Sequence, residues 1–320
     1  MTYPVVSVIC LCYNHEQFLE EALNSVVAQT YPNLEIIIAD DASTDKSVSF
    51  ILEYCRRFPQ IKFIQISQNV GNCTAFNRAQ AHATGEYLID FATDDVMLAN
   101  RVADQVKCFE SLGPDYGVIF SDAELMDEDS RPIRNFYRRN AAGQVISLVA
   151  SGDVYAAALE RYFICTPTLM FRKVVFDRLQ GYDETLAYED FDFIVRAARE
   201  YKFFFQDKIL TKRRLHPHSL SSGWYKIGDK QLLSTIKVCY KALQLNRNER
   251  EKMALIRRVE WEMKQAFFTR NYTEAEALFA ILDKIKAVSL KSRLLYLLVH
   301  YRVNLSFIHR LYYRLVHGKV

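Results

Sequence analysis

Leu34-Glu35-Ile36-Ile37-Ile38-Ala39-Asp40-Asp41 is a short apolar run closed by two acids, and Tyr87-Leu88-Ile89-Asp90-Phe91-Ala92-Thr93-Asp94-Asp95 repeats that arrangement further along the chain. Runs this short, apolar and rich in β-branched residues read as buried strands of a parallel sheet. In open α/β sheets, ligands sit outside the carboxyl ends of the strands. Two such ends carrying paired acids make a pocket suited to a divalent cation and a polyphosphate.

Outward from these two runs the alternation continues. Residues 5–11 read as another apolar strand, and 16–29 as a helix with apolar spacing at Phe18, Ala22 and Val26, broken by Tyr31-Pro32-Asn33. A helix over 48–57, a strand over 61–66 and a helix over 75–83, stopped by Gly85, lead into the second acidic run. Four strand–helix alternations predict an α/β fold with a Rossmann-like, mostly parallel sheet flanked by helices. Further on, the pattern predicts a helix at 101–112, strands at 116–121 and 168–172, and a helix at 190–201. The polar stretch 127–152, with Arg134, Arg138 and Arg139, reads as a mobile loop over the pocket.

From Trp224 onward only helical periodicity is present, over 231–245, 247–269, 273–285 and 291–315. The expected division is therefore an α/β domain over 1–223 and an all-helical extension over 224–320. Within the first, a further division is expected between about 1–100 and 101–223.

The net charge of +3 over 320 residues is too mild for a nucleic-acid partner. The seven cysteines are odd in number, and Cys10-Leu11-Cys12 lacks the two-residue spacing of common zinc and redox motifs. Reduced thiols in a cytoplasmic setting are the expectation. No signal-peptide pattern opens the chain, and no stretch approaches the roughly 20 apolar residues that span a bilayer.

Each acidic pair has a plain alternative as a helix cap. Functionally, adjacent carboxylates repel unless a cation sits between them, and a carboxylate accepts a nucleobase N–H. Order along the chain favours function. Pro4 to Ile9, Tyr13-Asn14, Val26 to Glu35, Asp40 to Asp45, Asn69-Val70-Gly71 with Asn77, Gly85-Glu86-Tyr87 and Thr93-Asp94-Asp95 resemble the family 2 glycosyltransferases of GT-A fold. Pro167 to Phe171, Gly181 to Glu184, and Tyr188 to Phe193 with Arg196 extend the resemblance to about residue 222.

That resemblance implies an inverting, metal-dependent transfer of one sugar from a nucleotide-sugar, a UDP-sugar first of all. The receiver would be a hydroxyl of a glycan or lipid-linked acceptor in cell-surface polysaccharide or glycoconjugate synthesis. It implies Asp41 on the uracil with Asp40 supporting it, and Tyr13, Asn14 and Asn77 lining the donor. Asp95 would be the ligand to Mn2+ or Mg2+, with Asp94 near the ribose or sugar and Asp190 the catalytic base. Thr93 departs from the Asp often found there, leaving two carboxylates. In Lys212-Arg213-Arg214-Leu215-His216, the resemblance puts His216 near the diphosphate or the metal, and Arg214 and His216 would help offset the leaving-group charge. The family's Gln-x-x-Arg-Trp motif of processive polymer synthesis is missing after Asp190. Alternatives are a nucleotide-sugar-binding scaffold without transfer activity, or a sugar nucleotidyltransferase. The latter wants a Gly-rich loop where Cys12-Tyr13-Asn14-His15 stands.

From Lys284 to Val320 the chain carries eight Lys or Arg residues interleaved with apolar ones, and no acid. An amphipathic helix on an anionic membrane is the expectation, making the protein peripheral on the inner face of the membrane. Packing on the catalytic domain or on a second subunit is the competing reading.

Overall fold

The computed structural model describes residues 3–217 and 225–307. The expected boundary at 223, His218 and the last part of the basic tail lie outside the described residues. In chain order, β1 (Val6–Cys12), α1 (Leu19–Val27), β2 (Leu34–Asp41), α2 (Ser47–Arg57), β3 (Lys62–Ile66), α3 (Asn72–Gln80) and β4 (Tyr87–Ala92) come first. There follow β5 (Val96–Met97), α4 (Arg101–Ser111), β6 (Tyr116–Met126), β7 (Pro132–Asn135), α5 (Tyr155–Glu160), β8 (Met170–Arg172), α6 (Lys173–Arg178) and α7 (Asp190–Ala198). The last are β9 (Lys202–Arg214), α8 (Lys230–Leu245), α9 (Glu249–Phe268), α10 (Tyr272–Lys284) and α11 (Leu290–His300).

These elements form two compact units. The first gathers residues 1–154, 163–184 and 196–222, and the second 155–162, 185–195 and 223–320.

The first unit holds one mixed sheet in the order β3-β2-β1-β4-β8-β6-β9-β5, with β7 on β6. β3, β2, β1 and β4 run parallel, so β2 and β4 end on the same edge, on either side of β1. That common edge collects the two acidic pairs. Val8, Ile38, Ile89 and Phe91 face a core that also takes Ile51, Tyr54 and Phe109 from α2 and α4. Ser7 ties the strands: its hydroxyl donates to Glu35 at 2.5 Å and accepts the Gly85 N–H at 2.9 Å.

Gly85 does not end the helix expected before it, since α3 stops at Gln80; it is required by close packing instead. A Cβ there would lie 2.5 Å from the Ser7 Oγ and 2.6 Å from the Ser7 amide nitrogen. Gly85→Ala should therefore lower stability by about 1–3 kcal/mol through overpacking. Urea melts read this directly, and an unchanged midpoint would refute the close-approach account.

β9 is a strand that the hydrophobic pattern does not predict. It pairs parallel with β6 along most of its length, but the register slips between Ser121 and Asp122, with Gln206 opposite the former and Ile209 opposite the latter. The two extra residues, Asp207 and Lys208, break the period-two alternation by which a half-buried strand is recognised.

The stretch 127–152, expected as a mobile loop, is tied down. β7 pairs with β6, Arg139 bridges Asp122 at 2.8 Å and Asp207 at 2.7 Å, and Gly152 pairs with Phe203.

The second unit is helical. Its core takes Leu232, Leu255, Val259, Met263, Leu278 and Ile281. The single helix expected over 291–315 is interrupted: α11 ends at His300, and Arg302 takes a left-handed φ of 50°. No described helix is long and apolar enough to cross a membrane. All seven cysteines are free thiols.

Candidate functional site

Asp94 and Asp95 follow β4 directly, where the alternation of strand side chains stops. Thr93 precedes them, fully buried, and its hydroxyl donates to the Leu11 carbonyl at 3.0 Å. That commits its one proton, so the Nδ1–H of His15, 2.9 Å away, must be the donor to Thr93. The neutral His15 ring then carries its lone pair on Nε2. Burial depresses the pKa of His15 more than the charge of Asp94 raises it, which favours that neutral ring. The Thr in place of a family Asp thus links the ends of β1 and β4 and orients a histidine.

The two acids differ sharply. The Asp94 carboxylate meets the Nε2 of His216 at 3.0 Å. Burial works against its charge, but the hydrogen bond with His216, first among the opposing influences, prevails and holds its pKa below the ordinary value. Asp95 is 3% exposed and accepts the Arg214 N–H at 2.8 Å. Burial, with the Asp94 charge second, pushes its pKa well above the usual carboxylate range. A divalent cation beside the pair would cancel both the burial cost and the repulsion. The oxygen donors of Asp94 and Asp95 with the imidazole of His216 therefore suit Mn2+ or Mg2+ in kind. Among the described residues, no three His, Cys, Asp or Glu side chains already converge on one metal-sized point.

Arg214 is held by partners within the protein. Its guanidinium donates to the carbonyls of Asp94, Asp127 and Glu128, to the Ser130 hydroxyl and to Glu21, and it lies 4.6 Å over the Phe18 ring. At 2% exposure it is an internal strut that carries the end of β9 to Asp95. These partners engage the guanidinium within the protein. His216, two residues on, packs 5.3 Å from the Phe18 ring and 6.4 Å from that of His15.

At the end of β2, Asp40 is fully buried and accepts from the amide and hydroxyl of Ser43. This holds the turn through Ala42, whose φ of 62° is uncommon for a residue with a Cβ. Asp41 accepts the amides of Val70 at 2.8 Å and Gly71 at 2.9 Å, one on each oxygen. Each oxygen keeps a second lone pair for a ligand N–H. Asn14 is left-handed, with φ 57°, and its side-chain oxygen accepts from the Thr44 amide at 2.8 Å. Tyr13 beside it is 46% exposed. The structure therefore brings Tyr13, Asn14, Asp40, Asp41, His15, Asp94, Asp95 and His216 to the carboxyl edge of β2, β1 and β4.

Asn77 is engaged elsewhere. Its carboxamide accepts the Tyr182 N–H and donates to the Tyr182 carbonyl and to Glu184, each at 2.9 Å. It clamps the chain at 182–184. Arg196 likewise donates to the carbonyls of Leu179 and Gly181.

In the second unit, Asp190 opens α7. Its neighbours fix the local backbone. Phe191 is buried and meets the Tyr162 ring edge-on at 5.3 Å, with the Arg258 guanidinium 4.9 Å from it. Asp192, 1% exposed, pairs with Lys241 at 2.6 Å. A buried ion pair accounts for Asp192 without catalysis. His15 is the site residue that sequence reasoning passed over; its place one residue after Asn14, at a strand end, was the available signal.

Comparison with known proteins agrees with this geometry. The model of the family described as Glycosyl transferase family 2 matches residues 7–179, more than half of the chain. An uncharacterized glycosyltransferase of Rickettsia typhi is 28% identical over 214 residues, 67% of this chain and 64% of that protein. One of Methanocaldococcus jannaschii is 26% identical over 218 residues, 67% of this chain and 72% of that one. The chain thus matches under two thirds of the length of the Rickettsia relative. Among solved structures, S. aureus TarS 1–349 in complex with UDP-GlcNAc superposes with a TM-score of 0.67 at 20% identity, covering 93% of this chain and 87% of that one. The mannosyltransferase PcManGT from Pyrobaculum calidifontis, in complex with GDP-Man and Mn2+, gives a TM-score of 0.61 at 18% identity, covering 99% and 82%. At these identities the likeness shows the fold, a GT-A-like mixed sheet flanked by helices with a helical C-terminal region.

Proposed function

Because the chain belongs to glycosyl transferase family 2, we propose that it moves one sugar, with inversion, from a UDP-sugar to a hydroxyl of a glycan or lipid-linked acceptor. Such a step belongs to the synthesis of cell-surface polysaccharide or glycoconjugate. The observation that carries this reading is the pairing of a buried, charge-averse Asp95 with Asp94 and His216 beyond a parallel strand. Nothing in a purely structural turn requires two acids at such a cost. The solved neighbours bound to UDP-GlcNAc and to GDP-Man with Mn2+ support a nucleotide-sugar and a divalent ion.

The proposed roles follow from the chemistry. Mn2+ or Mg2+, held by Asp95 with Asp94 and His216, would supply charge stabilisation to the departing diphosphate. Asp41, kept in place by Val70 and Gly71, accepts the N–H of the uracil, and Asp40 maintains the turn beneath it. Tyr13 and Asn14 border the same nucleotide pocket. Asn77 positions the 182–184 segment rather than touching the donor. Asp190 takes the proton of the acceptor hydroxyl as that oxygen attacks the anomeric carbon, and one such displacement inverts the centre. The basic tail from Lys284 onward attaches the protein to an anionic membrane, on the cytoplasmic side.

Asp41→Asn tests the nucleotide assignment. The amide keeps the shape but presents N–H where the uracil N–H arrives, so UDP affinity should fall by about 1–3 kcal/mol. Binding of UDP as tight as in the parent, measured by calorimetry with Mn2+ present, would refute the role of Asp41. Asp41→Asn also opposes one backbone amide, so a thermal melt of the same sample separates a lost ligand contact from a loosened 69–71 loop.

A further inference from the structure

The helix α11 has two apolar faces, and one of them is bare. On the inner face, Ser292 and Val299 are buried, Tyr296 stacks on Phe279 at 4.0 Å, and Glu260 accepts from the hydroxyls of Ser289 and Ser292. On the outer face, Leu290 is 74% exposed, Leu294 55%, Leu297 46%, Leu298 36% and Tyr301, at the C-cap, 74%. At 3.6 residues per turn these five positions fall within an arc about 100° wide. Lys291 and Arg293, both exposed, flank the arc on opposite sides. An amphipathic helix of a soluble unit turns its charged face to water; this one turns a leucine stripe outward.

We propose that this stripe is a membrane-docking face that lies flat on an anionic lipid surface. The leucines and Tyr301 would enter the boundary between headgroups and acyl chains, while the stems of Lys291 and Arg293 reach sideways to lipid phosphates. Charge selects the occupant. From Lys284 to the end of the sequence there are eight Lys or Arg residues and no acid. A second copy docked symmetrically would set the basic flanks of its own stripe against these, a like-charge contact. An anionic surface meets the same flanks with opposite charge. The inference deepens the membrane attachment proposed above by naming its face, and it holds whether or not the first unit transfers a sugar.

Flotation of the full chain tests it, using vesicles of phosphatidylcholine alone and vesicles with phosphatidylglycerol at roughly one third. The parent should partition about tenfold or more towards the anionic vesicles, and raised salt should release it. Leu294→Glu combined with Leu297→Glu should abolish flotation without shifting the thermal melt, because both side chains are half exposed. Lys291→Glu with Arg293→Glu should remove the anionic preference. Flotation of the leucine double variant equal to the parent would overturn the proposal. So would a parent that sediments as a dimer, becomes monomeric in the double variant and ignores both kinds of vesicle.

Discussion

Asp190→Asn is expected to lower the rate of UDP-sugar turnover by about 10²–10⁴-fold under single-turnover conditions, while the affinity for UDP changes little. The carboxamide preserves size and caps a helix nearly as well as the carboxylate, so a merely structural role predicts near-wild-type turnover. Local packing around the position is rigid: Phe191 is held by Tyr162 and Arg258, and Asp192 by Lys241. A substitution at Asp190 therefore leaves α7 in place, and an unchanged melt confirms it. Near-parental turnover would remove Asp190 as the base. Asp192 is a poor replacement, since its carboxylate is buried against Lys241, and Glu189 would be the next residue to vary.

The second large effect belongs to Asp95. Its folded pKa is raised by burial and by Asp94, so the folded protein holds a proton there more tightly than the unfolded chain does. Stability from this group is thus present at acid pH and falls as pH rises above the ordinary carboxylate range towards the folded pKa. At neutral pH, without metal, the ionised side chain is a liability. Asp95→Asn keeps the acceptor for the Arg214 N–H and removes the charge, so it should melt higher than the metal-free parent. The same variant should lose the stabilisation by Mn2+ plus UDP, which in the parent amounts to about 2.7 kcal/mol at one hundred times Kd. A variant that is less stable than the parent without metal, yet still stabilised by Mn2+, would contradict the assignment on both counts.

How far the sequence reveals this molecule depends on the element. The runs ending at Asp41 and Ala92 are mostly apolar and mostly buried, so β2 and β4 were legible, and with them the edge that gathers the acids. β9 was not, because its two-residue bulge at Asp207 and Lys208 destroys the alternation. The helix periodicity through 291–315 concealed the turn at Tyr301 and Arg302, since a left-handed residue leaves no mark on hydrophobic spacing. Side-chain roles were less legible than strand ends. Arg214 reads as a free cation in a basic run, but five acceptors and an aromatic ring enclose it. Asn77 reads as a donor contact, but its carboxamide closes on Tyr182 and Glu184, more than a hundred residues away in sequence. Long-range partners of this kind are set by the fold and carry no local signature. His15 and Thr93 illustrate the reverse case, in which a departure from the family pattern becomes intelligible only once Thr93 is seen between β1 and His15.

The most direct test of the central claim is a calorimetric titration of UDP into the full chain, with and without Mn2+. Cation-dependent binding of one UDP per chain, abolished in Asp95→Asn and retained in Asp190→Asn, is the predicted result. UDP that fails to bind with the metal present, or binds equally well without it and in Asp95→Asn, would contradict the account.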